Sequence, residues 1–212
     1  MGKTAIILGA TGLTGGLLLD KLIKDERYES IKLFSRSEIK NLPDKVTQFI
    51  GNLLELENFK NDFKGDEVFC CIGTTTKKTP DKVLYKKIDY GIPVSAAKLS
   101  KENNINTYIV VSAIGADPNS SIFYNKTKGE MERAVLSEKI KQTHILQPSI
   151  IEGDRQERRI GEKIALMAFK LIQPLFFGNF KKYKITKAER IAQKMIGLAN
   201  SSSEDIIITA IN

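Results

Sequence analysis

The sequence contains no tryptophan and a single histidine, His144. A metal centre built from several imidazoles is therefore excluded, and no metal site is expected. Cysteine is limited to two neighbours, Cys70 and Cys71. Adjacent residues rarely reach disulfide geometry, and there is no third thiol in the chain to pair with. That usage favours a reducing compartment. Long apolar runs are missing too. The first, Ala5–Leu8, is too short for a signal-peptide core and runs straight into glycines. Ile6 stands where a myristoylation signal wants Ser or Thr. No apolar stretch approaches the roughly 20 residues of a membrane span. The expectation is a cytoplasmic protein with no membrane span.

What is present is ordinary in proportion. The 212 residues are 42% hydrophobic and 27% charged. These proportions exclude global disorder and a fibrous repeat. Length suggests between one and two domains at roughly 150 residues each, and α/β folds often exceed that as one unit. Lys and Arg total 33 against 25 Asp and Glu, a net charge of +8. This excess permits an anionic partner without naming one. Lys77, Lys78, Lys86 and Lys87, with Lys181, Lys182 and Lys184, resemble a nucleic-acid patch by count. Lysines scattered among acids more often form a solvated face, and no nucleic-acid-binding motif accompanies them. No nucleic-acid partner is expected.

Strand-like and helix-like segments alternate along the chain. Short apolar or β-branched runs at Ala5–Leu8, Ile31–Phe34, Val46–Ile50, Val68–Ile72, Thr107–Val111 and Thr143–Leu146 read as strands. Helical spacing marks Thr14–Lys24, Asp81–Glu102 and Tyr124–Lys139. This order implies an α/β fold, a Rossmann-like doubly wound parallel sheet with right-handed crossovers. The last third differs. Arg155–Arg159 is densely charged and Ile160–Phe177 mostly apolar. Thr186-Lys-Ala-Glu189 reads as a capping box opening a helix to about Leu198, and Asp205–Thr209 as a final strand. The expected organisation is one domain over 1–212. About 1–150 form a cofactor-binding core, about 151–204 a small carboxyl-terminal lobe, and 205–209 the last strand.

Directly after the first strand comes Gly9-Ala-Thr-Gly12-Leu-Thr-Gly15-Gly16. One glycine suits a tight turn, one a close approach to a pyrophosphate, and one helix–strand packing. The helix that follows offers free N–H groups and a positive end to phosphates. Twenty-one residues beyond Gly15, the second strand ends in Ser35-Arg36-Ser37 rather than in an acid. An acid there would bond a ribose 2′-hydroxyl, whereas an Arg with two hydroxyls suits a 2′-phosphate. NADP(H) is therefore expected over NAD(H).

The strand at Thr107–Val111 leads into Ser112, and twelve residues on stand Tyr124 and then Lys128. Residues four apart share a helix face, so phenol and ammonium can meet in one site. A free tyrosine has a pKa of about 10, which a nearby ammonium and an oxidised nicotinamide both lower. The phenol can then exchange a proton with a carbonyl or alcohol oxygen while a nicotinamide exchanges a hydride. Ser112 could hydrogen-bond the same oxygen.

With these residues in view, the chain resembles the short-chain dehydrogenase/reductase superfamily, in its atypical branch. It is most similar to the Tat-interacting protein 2 oxidoreductases, grouped with NAD(P)H-binding NmrA-like proteins. The stretches GATGLTGG, CCIGTTTKK, SAIGADPNSSIFYNKTKGEMER and QPSIIEGDRQERR carry the resemblance over residues 5 to 160. The segment YKITKAERIAQKMI resembles the part that closes the substrate lobe. The resemblance implies that Gly9, Thr11, Gly12, Leu13, Thr14 and Gly15 hold the pyrophosphate and Arg36 the 2′-phosphate. It places Asn52 and Leu53 beside the adenine, and Cys71, Ile72, Gly73 and Thr74 on the ribose side. Pro148, Ser149 and Ile150 would approach the nicotinamide amide, with Lys128 also reaching its ribose. Ser112, Tyr124 and Lys128 match the catalytic set. Asp89 stands where many members have an Asn that assists a proton relay. The implied activity is NADPH-dependent reduction of a small-molecule carbonyl. The alternative is an NADP(H)-binding regulator acting through a protein partner, and either form could be a monomer or homodimer.

The remaining residues read plainly. Cys70 and Cys71 are expected as small buried residues ending a central strand, and His144 as a packed histidine. Asp154, Arg155, Glu157, Arg158 and Arg159 suit either a substrate cleft or a solvated helix start. Met167, Phe169, Leu171, Leu175, Phe176 and Phe177 are expected in a lobe core.

Overall fold

The computed structural model describes residues 2–152, 186–201 and 206–211. The first half alternates β1 (Lys3–Leu8), α1 (Leu13–Lys24), β2 (Tyr28–Ser35), β3 (Val46–Ile50), a 3₁₀ segment (Leu53–Phe59) and β4 (Glu67–Cys70). There follow α2 (Lys82–Lys86), a π turn (Lys87–Gly91), α3 (Ile92–Glu102), β5 (Thr107–Val111), α4 (Phe123–Ser137) and β6 (Gln142–Pro148). Two-residue strands β7 (Ile151–Glu152) and β8 (Thr186–Lys187) pair with each other. Helix α5 (Ala188–Ala199) and strand β9 (Ile206–Ile211) complete the described chain.

Seven strands form one sheet in the order β3-β2-β1-β4-β5-β6-β9, and every pairing is parallel. The chain winds outward from β1 through β2 to β3, then crosses back to β4 and winds the other way. The carboxyl ends of β1 and β4 therefore flank a topological switch point, where open α/β sheets hold ligands. Side-chain alternation builds a core on each face. Ala5 and Ile7 of β1 pack with Leu18 and Leu22 of α1 and Ile191 and Met195 of α5. Ile6 and Leu8 pack on the other face with Ala97 of α3 and Met131 and Val135 of α4. Each such fully buried aliphatic side chain contributes about 1.5–3 kcal/mol of transfer free energy.

Two elements depart from the sequence reading. The helix expected over Asp81–Glu102 is present but widens into a π turn at its centre. Pro93 lacks the N–H that an α-helix would aim at the carbonyl four residues back, at Asp89, and this break sets the wider turn. The capping box at Thr186 does not form. Thr186 sits in β8 and donates its hydroxyl to the Ile211 carbonyl at 2.7 Å. Glu189 reaches instead to Lys21 of α1 at 2.9 Å. Ala188–Ala199, expected within the carboxyl-terminal lobe, thus joins α1 in the helix layer. Residues 153–185 and 202–204 of that lobe lie outside the described residues. So do the charged segment Arg155–Arg159, the apolar segment Ile160–Phe177 and Lys181, Lys182 and Lys184.

Candidate active site

The turn after β1 is built around glycines for steric reasons that can be read directly. Gly9 has φ +89°, the left-handed region that side chains disfavour. A Cβ on Gly15 would lie 2.1 Å from the Gly9 carbonyl oxygen, so α1 can pack this closely on β1 only with glycine there. Gly12 caps α1 without a side chain, and the first turn carries no acid. The first helical bond runs from Gly16 N–H to the Gly12 carbonyl at 2.8 Å, leaving the amides of Leu13, Thr14 and Gly15 ahead of it. Such a terminus suits a pyrophosphate.

Beside this turn opens a cleft of about 610 Å³. Thr11, Gly12, Leu13 and Thr14 form one wall, and Cys71, Ile72, Gly73, Thr74 and Lys78 a second. Val111, Ser112, Tyr124, Lys128, Asp89 and Ile151 close the far end. The structure thus brings the phosphate turn and the Ser–Tyr–Lys set into one cavity, with the ribose-side residues between them.

Other expected contacts lie elsewhere. Arg36, Asn52, Leu53, Pro148, Ser149 and Ile150 are outside the cleft's walls. Arg36 is exposed at the end of β2. Of the two hydroxyls beside it, Ser35 is buried and donates to the Ser37 carbonyl at 2.7 Å, so only Ser37 is left to join Arg36. Asn52 caps the 3₁₀ segment, accepting from Leu54 N–H at 3.1 Å and donating to Glu55 at 2.9 Å. Leu53 is buried beneath it. Pro148 lies within β6, where its carbonyl accepts from Ile114 N–H at 3.0 Å. Ile150 is exposed, and its carbonyl accepts from Thr186 N–H at 2.9 Å.

Helix α4 carries the reactive groups. Tyr124 and Lys128 share one face, as their spacing predicts. The ring of Phe123 meets that of Tyr85 edge-on at 5.4 Å and anchors the start of α4 against α2. Gly129 admits the preceding loop, because a Cβ there would lie 2.2 Å from the Pro118 nitrogen. Lys128, 4% exposed, forms an ion pair at 3.0 Å with Asp89, which is 1% exposed. Asp89 also accepts Thr74 N–H at 2.7 Å, while its Oδ1, facing Lys128, lacks a hydrogen bond of good angle. The π turn delivers this carboxylate to the cleft. Asp89, which stands where many members of the resembled superfamily have an Asn, holds Lys128 directly.

Tyr124 was expected to be lowered by Lys128 together with an oxidised nicotinamide. In the protein alone partial burial raises it most; Lys128 lowers it as expected and Asp89 raises it, so the balance is upward. The ring stays 38% exposed at the cleft mouth.

Ser112 also differs. It lines the cleft, but its hydroxyl donates to the carboxylate of Glu132, a contact the sequence reading missed. Glu132 stands one turn beyond Lys128, so Tyr124, Lys128 and Glu132 form one stripe on α4. That spacing was the available signal.

The cysteines behave as small core residues. Cys70 is buried, Cys71 partly so, and both are free thiols. Burial pushes both thiols up, away from reactive thiolate. His144 is fully buried on β6. Among the described residues no helix is long and apolar enough to cross a membrane.

A family model described as NAD(P)H-binding matches residues 9–152. The mitochondrial protein FMP52 of Debaryomyces hansenii is 31% identical over 201 residues, covering 93% of this chain and 88% of its own. The HTATIP2 protein of Rattus norvegicus is 30% identical over 171 residues, covering 79% and 70% respectively. Among solved structures, the Bordetella bronchiseptica enzyme WbmH in complex with NAD+ superposes with a TM-score of 0.76 at 11% identity. It covers 99% of this chain and 76% of that one. A UDP-glucose 4-epimerase of Thermotoga maritima gives 0.73 at 14% identity, covering 97% and 76%. These two likenesses concern the fold. The expectation of a cytoplasmic protein is corrected by the relatives. FMP52 proteins of Debaryomyces hansenii, Candida glabrata and Eremothecium gossypii are all named mitochondrial. Unpaired cysteines and a short first apolar run do not choose among reducing compartments.

Proposed function

The chain belongs to the NAD(P)H-binding family of atypical short-chain dehydrogenase/reductase proteins, and from that premise we propose that it reduces a carbonyl of a small molecule at the expense of NADPH. The observation that carries this reading is the shared cleft, in which a glycine turn fit for a pyrophosphate faces Tyr124 and Lys128. When bound, the nicotinamide supplies the hydride. Tyr124 supplies the proton to the carbonyl oxygen, and the raised phenol suits this direction, because it arrives protonated at neutral pH. Lys128 orients the phenol and the ribose, itself held by Asp89. The exposed Arg36, with no acid at the end of β2, favours a 2′-phosphate. Residues 1–150 serve as the cofactor core, with substrate contacts supplied from 151 onward. The FMP52 relatives, named as mitochondrial proteins, favour a mitochondrial location.

A second reading, an NADP(H)-binding regulator without turnover, is favoured by the Ser112 proton being turned into Glu132 rather than into the cleft. NADPH binding and oxidation against a panel of carbonyl compounds separates the two. Binding with turnover supports the reductase, and binding without it the regulator; no binding ends both. Arg36→Ala should weaken NADPH about 10-fold or more, one lost charge-assisted contact being worth roughly 1.5–3 kcal/mol, and leave NADH nearly unchanged. Equal losses remove the 2′-phosphate assignment.

A further inference from the structure

Glu132 is a buried carboxylate to which the proton and hydride transfers assign no part. It is 7% exposed on α4, one turn beyond Lys128. Lys128 is engaged by Asp89, so Glu132 is satisfied by neutral donors. Ser112 donates its hydroxyl to Oε1. Gln147 Nε2 donates to Oε1 at 2.9 Å and to Oε2 at 3.1 Å. A carboxylate taken from water without an ion-pair partner is costly to the fold, and a glutamine would fill the same space. Packing therefore does not explain the charge.

We propose that Glu132 is a positioning residue that sets whether Ser112 accepts or donates a hydrogen bond toward the reacting oxygen, and so whether the cleft holds an alcohol or a carbonyl. The proposal rests on the carbonyl–alcohol chemistry argued above. A hydroxyl has one proton. With Glu132 ionised, that proton lies on the Glu132–Ser112 bond, and Ser112 Oγ offers lone pairs alone to the cleft. An alcohol can donate to it; a carbonyl cannot. With Glu132 protonated, the carboxyl O–H donates to Ser112 Oγ while Gln147 still donates to the other carboxyl oxygen. The serine proton is then released to meet a carbonyl oxygen. The two forms differ by the single proton on Glu132, exchanged with solvent. Burial holds this carboxyl above its ordinary range, although Ser112, Gln147 and Lys128 pull it down. Among the described residues the charged groups on that side are Lys128 on α4 and, behind it, Asp89 of the π turn. From the end of β5 and from β6 Glu132 meets Ser112 and Gln147, which do not titrate.

Linkage supplies the test: a ligand that prefers one protonation form must shift the titration of the group that controls it. The intact protein labelled with ¹³C-carboxyl glutamate is titrated by NMR, with Glu132→Gln identifying the resonance. Two dead-end complexes avoid turnover, NADP+ with cyclohexanone and NADPH with cyclohexanol. The Glu132 midpoint is expected higher in the ketone complex than in the alcohol complex. In Ser112→Ala it rises in the free protein, because a donor to the carboxylate is lost, and the higher midpoint of the ketone complex is lost. A purely structural carboxylate would feel only the nicotinamide charge, which lowers the midpoint in the NADP+ complex, the opposite sign. A wild-type midpoint no higher in the ketone complex than in the alcohol complex, or a free midpoint unmoved by Ser112→Ala, overturns the proposal. The wild-type comparison stands even if that variant misfolds. Failure to bind either nucleotide is a separate result, which removes the reductase reading itself and the alcohol–carbonyl choice with it.

Discussion

Two lysines paired with buried carboxylates lie at opposite ends of the same sheet, and their surroundings differ. At the amino end Glu67 meets Lys3 at 2.5 Å. Tyr28 donates to the other Glu67 oxygen at 2.6 Å, and Lys3 also donates to Asn200 at 2.9 Å. Asn200 donates in turn to the Tyr28 hydroxyl at 2.8 Å, which closes a ring. At the carboxyl end Asp89 and Lys128 meet at 3.0 Å, but the ring is open. One Asp89 oxygen lacks a well-formed hydrogen bond, and the pair faces the cleft. The same two functional groups therefore serve two ends. Where every donor and acceptor is matched within the protein, the pair fastens α5 to the sheet. Where capacity is left over beside a cavity, it is available to a ligand.

This contrast predicts opposite responses to substitution. Tyr124→Phe should lower kcat about 10²–10⁴-fold, the usual range for a lost general acid, while its melting stays at the wild-type value. A large loss of stability would place Tyr124 in the scaffold rather than the chemistry. Glu67→Ala should do the reverse. It leaves the buried Tyr28 hydroxyl without its acceptor and Lys3 with Asn200 alone, and denaturant unfolding should show a loss of ~2 kcal/mol with nucleotide affinity retained in the folded fraction. A loss well under 1 kcal/mol would show that the closed ring is not what holds α5.

Smaller effects sharpen the comparison. Asp89→Asn removes one of the influences that hold the Tyr124 phenol up. The alkaline fall in reductase rate, which follows loss of the phenolic proton, should then move to lower pH. An unmoved alkaline limb would mean that Asp89 does not act on the phenol. The smallest effect is expected at Glu132. Its carboxyl is raised on folding, so its ionisation costs stability as pH rises through that titration and costs nothing in acid. Glu132→Gln should melt at or slightly above wild type near neutral pH, within about 1 kcal/mol, and lose that advantage in acid. Thermal melts at the two pH values check the sign.

Much of the scaffold was legible in the sequence because its signals are local. The strands Val46–Ile50 and Thr107–Val111 have the bounds that their apolar runs suggest. Gly12 and Gly15 are explained by contacts with Gly9 and Ala10 a few residues away, whereas Gly9 also makes room for the distant Cys71 backbone. The Tyr124–Lys128 pairing is a property of helical spacing. What stayed hidden depends on partners distant in sequence. The Thr186 hydroxyl found the Ile211 carbonyl, so a well-formed capping motif gave no cap. Ser112 found Glu132 twenty residues away, on the far side of a crossover. The rise of the Tyr124 phenol came from burial and from Asp89, neither of which spacing reveals. The paired strands β7 and β8, two residues each, are too short for any periodicity to mark.

The layer formed by α1 and α5 has a consequence for how the protein is made. Its core joins residues as far apart in the chain as Ala5 and Ile211. A nascent chain that has emerged only as far as β6 carries Leu18, Leu22, Ile109 and Leu146 without the α5 side chains that cover them. Until residues 188–211 are free of the ribosome, one whole face of the sheet is an adhesive surface looking for a partner. A chain of this topology leaves part of that face uncovered until α5 and β9 have emerged.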